Sequence, residues 1–125
     1  MYSLGVRKSF DARHYLIGGD WGPENIEHSH HYRMELRLEA RELDQYGFLV
    51  DIVEVEKHMV EVTAKLQGKT LNELESLAGL NPSIEQLATV IHGVFRKRLA
   101  NFHLEALTVT IWEDDIAWTS YRAAV

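Results

Sequence analysis

The sequence predicts an α+β layer: a four-stranded antiparallel sheet with two helices on one face, in the order strand, strand, helix, helix, strand, strand (ββααββ). Three observations carry this. Two runs before position 41 alternate apolar and polar residues, two apolar stripes at helical spacing follow, and a second pair of short alternating runs ends the chain. No helix crosses between the members of either strand pair, so each pair is antiparallel and both helices are free to cover one face. A chain of 125 residues at 46% hydrophobic suffices for one core, so residues 1–125 are expected to form a single domain.

The first strand carries Leu4, Val6, Phe10, Ala12 and His14 on one parity, interrupted by Lys8, with Ser3, Arg7, Ser9, Asp11 and Arg13 on the other. Residues 17–27 contain Gly18, Gly19, Gly22 and Pro23, breakers that mark a loop. The second strand alternates Tyr32, Met34, Leu36, Leu38 and Ala40 with Arg33, Glu35, Arg37, Glu39 and Arg41. Asp44-Gln45-Tyr46-Gly47 supplies turn chemistry, and Asp51 with Glu54 suggests a helix cap.

Ile52, Val55, Met59, Val62 and Leu66 then fall at spacings of three and four, the stripe of an amphipathic helix ending before Gly68. The second helix opens at Asn81-Pro82-Ser83, with proline in its first turn and Ser83 paired with Gln86. Its stripe is Ile84, Leu87, Ala88, Ile91, Val94, Phe95 and Leu99; His58, Glu61, His92 and Arg96-Lys97-Arg98 are expected to face solvent. Leu107, Val109, Ile111 and Glu113 form the third strand, Asp114-Asp115 reverses the chain, and Ile116, Trp118 and Ser120 form the fourth.

The absence of cysteine leaves histidine and carboxylate as the metal ligands available. A net charge of -6 argues against a general nucleic-acid surface, and no apolar leader or long apolar span is present, so a cytoplasmic protein without membrane contact is expected.

The chemistry concentrates in Glu24-Asn25-Ile26-Glu27-His28-Ser29-His30-His31-Tyr32. On a strand, His28 and His30 project to one side and His31 to the other, and His14 supplies a third candidate from the preceding strand. Three neutral imidazoles with a fourth position open is an arrangement suited to a catalytic zinc.

Phe10-Asp11-Ala12-Arg13-His14, then Glu24 with His28-Ser29-His30-His31-Tyr32, Gly47-Phe48-Leu49-Val50-Asp51, Asn81-Pro82-Ser83-Ile84-Glu85-Gln86-Leu87-Ala88 and Val109-Thr110-Ile111-Trp112-Glu113 follow one another along the chain. In this order they resemble the 6-pyruvoyltetrahydropterin synthase / 6-carboxytetrahydropterin synthase family nearly end to end. The resemblance implies the tunnelling fold, a homohexamer of two stacked trimeric barrels, a small-molecule pterin substrate, and a zinc ion (Zn2+) held by His14, His28 and His30. Ser29 stands where the family usually has glycine. Glu113 falls at the position whose carboxylate binds the 2-amino and N3 hydrogens of the pterin ring.

Two departures bear on catalysis. Most members carry a cysteine as general base four residues before the first histidine of the His-x-His pair; here that position is Glu24, as in a subset that shortens the triphosphate-bearing side chain to a hydroxymethyl group. The family's Leu-Asp-His-x-x-Leu-Asn segment aligns on Leu66-Gln67-Gly68-Lys69-Thr70-Leu71-Asn72, so its proton-relay aspartate and histidine become Gln67 and Gly68. The implied function is a zinc-dependent pterin lyase or synthase with Glu24 as catalytic base. The alternative is a catalytically silent or repurposed pterin- or purine-binding hexamer that retains zinc.

Overall fold

A computed structural model describes residues 1–125. The elements are β1 (Tyr2–His14), β2 (His28–Ala40), α1 (Ile52–Leu66), α2 (Ile84–Arg98), β3 (Ala106–Trp112) and β4 (Trp118–Ala124), with short 3-10 turns at Gly22–Asn25, Leu71–Glu73 and Glu75–Leu77. The strands form one antiparallel sheet in the order β1-β2-β3-β4, leaving β1 and β4 as its edges. Both helices lie on one face, the predicted α+β architecture.

Strand alternation places the core. Phe10, Ala12 and His14 of β1, Tyr32 to Ala40 at even positions of β2, and Leu107, Val109 and Ile111 of β3 are buried against the helices. Val55, Met59, Val62 and Leu66 of α1 and Leu87, Ala88, Ile91, Phe95 and Leu99 of the second helical segment complete it. Truncating a fully buried ring such as Phe95 to alanine would cost about 3–5 kcal/mol. Asp51 caps α1 by accepting from the Val53 amide, and Ser83 caps α2 by accepting from the Gln86 amide. Pro82 therefore lies just outside the helix rather than in its first turn.

Four local expectations change. Ile52 and Val94 sit at the margins of their stripes and are exposed. Ile116 belongs to the turn, because the Asp114 carboxylate accepts from the Ile116 and Ala117 amides at 2.8 and 2.7 Å and the fourth strand begins only at Trp118. His92 is buried rather than solvated, donating from Nε2 to the Leu107 carbonyl at 3.0 Å and packing edge-on against Tyr121. His58 is half-buried rather than solvated, and the Arg98 guanidinium joins it across the two helices to Glu61, which is exposed as expected.

At the end of α1, Gln67 is the C-cap and Gly68 follows at φ 70, a left-handed conformation that glycine adopts without penalty. Arg13 donates its amide to the Lys69 carbonyl, so the segment after the helix runs beside β1. No helix is long and apolar enough to cross a membrane.

Candidate metal centre

The end of β1 and the start of β2 are cross-strand partners: His14 is opposite His28 and Ala12 opposite His30. All three imidazoles project to the helix side, and their ring nitrogens lie within 4.8 Å of one another. Directly opposite and diagonal neighbours on one sheet face are close enough for this without backbone distortion. His31 projects to the open face, where its Nδ1 contacts the Asp11 carboxylate at 2.7 Å.

Main-chain carbonyls set the tautomers. Nδ1 of His14 donates to the Pro82 carbonyl at 2.8 Å, and Nδ1 of His28 to the Ile26 carbonyl at 2.8 Å. In the neutral rings both Nε2 atoms then carry lone pairs, yet they face each other at 3.0 Å. That separation has hydrogen-bond length, but neither atom has a proton to donate. Nε2 of His30 is buried with no hydrogen-bond partner. Three converging ring nitrogens, one of them orphaned, fit a cation between them, and outer carbonyls that orient ligand imidazoles, as at His14 and His28, are the usual support of such a site.

Burial holds the His14 imidazole below the usual histidine range; the Pro82 carbonyl opposes this, and His28 and His30 reinforce it. The neutral, ligating form is therefore favoured. Beneath the cluster, burial first and then the Glu113 charge push the Tyr32 phenol up, so it remains protonated. Its oxygen is 3.5 Å from Nδ1 of His14, and its ring stacks on Phe10.

Glu113 follows β3, one step past the Arg33–Trp112 pair and so level with Tyr32. Its Oε1 lies 3.2 Å from Nε2 of His30 and 3.7 Å from Nε2 of His14. The structure thus brings together His14, His28, His30 and Glu113. Glu24 lies on the 3-10 turn of the intervening loop, exposed, and its carboxylate makes no hydrogen bond or ion pair with the histidines.

No imidazole occupies the Gln67-Gly68 segment. Gln67 accepts from the Asp11 amide at 2.9 Å, and Gly68 donates to the Asp11 carbonyl at 2.7 Å. His58 and His92 are engaged elsewhere, as described, and neither bonds to the cluster.

Several supporting groups escaped the sequence reading. Asn72 brackets the Tyr15 backbone, accepting from its amide and donating to its carbonyl. Asn25 donates to the Leu16 and Gly19 carbonyls, and Thr70 donates to the Glu27 carboxylate at 2.7 Å. Together they fix the loop joining the two ligand strands. The Asn and Thr positions carry no periodicity, and the Pro82 and Ile26 carbonyls act through main-chain atoms that every residue possesses, so only tertiary structure identifies them.

Solved structures of the same fold cover almost the whole chain. A 6-pyruvoyl tetrahydropterin synthase from Caenorhabditis elegans superposes with a TM-score of 0.87 at 22% identity, covering 98% of this chain and 96% of that one. The Plasmodium vivax enzyme of the same name gives 0.82 at 15% identity, covering 99% and 98%. An uncharacterized protein from Wolinella succinogenes gives 0.77 at 14% identity, covering 96% and 97%. No curated protein matches the chain. The sequence pattern described as 6-pyruvoyl tetrahydropterin synthase matches residues 3–124, and with the fold in agreement the chain belongs to the 6-pyruvoyl tetrahydropterin synthase family.

Proposed function

We propose that the protein is a zinc-dependent pterin lyase of the 6-pyruvoyl- or 6-carboxytetrahydropterin synthase class, acting on the side chain of dihydroneopterin triphosphate or a related pterin. The observation that carries the reading is the convergence of three imidazole nitrogens, with the His14 and His28 tautomers held by main-chain carbonyls. A nitrogen set in a chain without cysteine suits zinc. When bound, zinc supplies a Lewis acid that polarises the oxygens of the pterin side chain.

The remaining work falls to carboxylates. Glu113 has two acceptor oxygens for the 2-amino and N3 hydrogens of the ring, a charge-assisted bidentate match. Glu24 is the base: its exposed carboxylate has no partner in the single chain and is free to accept a proton from the substrate. A solved variant of the Plasmodium vivax enzyme replaces a glutamate described as a catalytic residue, which supports a carboxylate in this role.

A homohexamer fits the single chain. The outer sides of its edge strands β1 and β4 pair with no further strand, and its larger cavities, such as one of about 600 Å3 lined by Arg41, Asp51 and His103, lie away from His14, His28 and His30. Neighbouring chains would pair the edges and wall the ring site. We place the protein in the cytoplasm.

Incubating the purified protein with dihydroneopterin triphosphate and identifying products by mass is the direct test. A pyruvoyl, carboxy or hydroxymethyl product supports the lyase; unchanged substrate removes it. The second reading, a pterin-binding hexamer without turnover, is favoured by Gly68, which leaves no imidazole at the helix end where the family carries its relay histidine.

A further inference from the structure

Glu113 stands closer to the histidine nitrogens than ring recognition requires. Four ligand atoms placed tetrahedrally at about 2.0–2.1 Å from an ion lie about 3.3–3.4 Å from one another. The separations here are 3.0 Å between Nε2 of His14 and His28, 3.2 Å between Nε2 of His30 and Oε1 of Glu113, and 3.7 Å between Nε2 of His14 and the same oxygen. These three straddle the tetrahedral edge, and the three histidine nitrogens as a set lie within 4.8 Å of one another.

No hydrogen bond explains the position of the carboxylate. Nε2 of His30 forms no hydrogen bond despite its 3.2 Å approach to Glu113, so a shared proton does not hold the pair. The only hydrogen bond of Glu113 runs from its backbone amide to Ala117. Its side chain is 27% exposed, and its charge bears on a buried phenol. A carboxylate drawn into a partly dry site without a hydrogen-bond donor needs a positive partner, and the histidine cluster supplies the place for one.

We propose that Glu113 closes the fourth position of the ion in the ligand-free protein and surrenders it when a pterin ring presents its 2-amino and N3 hydrogens. This rests on the metal and ring-recognition readings above. Bidentate ring binding directs a lone pair of each carboxylate oxygen at the ring hydrogens, so ring and ion compete for the orientation of the same group. Arrival of the ring would uncover the ion, which until then is shielded from water and stray anions. The ring's own recognition group thereby becomes a gate.

Cobalt-loaded protein allows a test that needs no turnover, because visible cobalt absorption reports a change of ligand. Azide is the probe, and the wild-type protein should resist it. Glu113→Ala should respond at a concentration at least about tenfold lower, on the scale by which such supporting groups tune metal sites. Adding pterin that lacks a side chain should make the wild-type protein azide-sensitive in the same way. Equal azide response in wild type and Glu113→Ala, or no gain on adding pterin, would overturn the gate while leaving the metal site intact. A wild-type protein that fails to take one cobalt per chain would overturn the metal reading with it. Should the alanine variant not fold, wild type with and without pterin decides alone.

Discussion

Nε2 of His14 and Nε2 of His28 face each other at 3.0 Å across paired strands, while Nδ1 of each ring is bonded to a main-chain carbonyl. Without a cation this juxtaposition opposes two lone pairs, and rotating either ring would forfeit a carbonyl hydrogen bond worth about 0.5–1.5 kcal/mol. The outer carbonyls therefore keep the ligand atoms aimed inward.

His28→Ala should abolish stoichiometric zinc binding, because the two nitrogens that remain cannot hold the ion in place. His31→Ala should retain one zinc per chain, since that ring pairs with Asp11 on the opposite face. Elemental analysis of both dialysed proteins is the check, and full occupancy in His28→Ala would contradict the assignment.

Glu113→Ala should weaken binding of neopterin by about ten- to a hundredfold, roughly 1.5–3 kcal/mol for lost charged hydrogen bonds. Glu85→Ala should leave the affinity unchanged, because Glu85 lies in the exposed first turn of α2. Calorimetric titration separates the two, and an unaltered dissociation constant in Glu113→Ala would take the ring away from this carboxylate.

How much of this was legible follows from periodicity. The even positions of β1 and β2 placed His14, His28 and His30 on one face, and pairing added only which residue opposes which. The architecture was legible for the same reason. Ile116 was not: it continues an alternation with Trp118 and Ser120, but the Asp114 carboxylate captures its amide and holds it in the turn. His92 departs from a polar-face expectation because the neighbouring strand offers the Leu107 carbonyl, which turns a buried imidazole into a satisfied one. The approach of Glu113 to His30 depends on the stagger of β3 against β2, which no single-strand pattern encodes.

The buried His92 gives a pH dependence of known sign. Burial lowers its proton affinity below the ordinary histidine value of about 6.5, more than the Leu107 and Ala123 backbone groups raise it, and Arg96 adds to the lowering. The folded state then binds fewer protons than the unfolded chain, so stability is complete above about pH 6.5 and declines as pH falls toward the lower folded value. His14 contributes with the same sign. Urea unfolding of metal-free protein between about pH 7 and 5 should show this decline, and His92→Gln, which keeps a donor for the Leu107 carbonyl, should flatten part of it. An identical slope in the variant would remove His92 as a contributor.

Glu24→Gln bears most directly on whether the protein is a catalyst. The exposed loop carboxylate lies outside the histidine cluster, so replacing it should leave zinc and pterin affinity intact. The amide keeps the size and loses the proton acceptor, so turnover of a pterin substrate should fall by about 10²–10⁴-fold, the contribution expected of a general base. If the unmutated protein turns nothing over, the suspect is the segment after α1, and Gln67→Asp with Gly68→His is the repair. That repair has a structural cost: Gly68 sits at φ 70, where a side chain adds roughly 1 kcal/mol of strain, although the space around it is open. A lower melting temperature with new pyruvoyl- or carboxy-forming activity would show a scaffold that had lost only its relay. Retained zinc with no activity in either protein would mean that the pocket serves another ligand, and that membership of the family reports ancestry rather than chemistry.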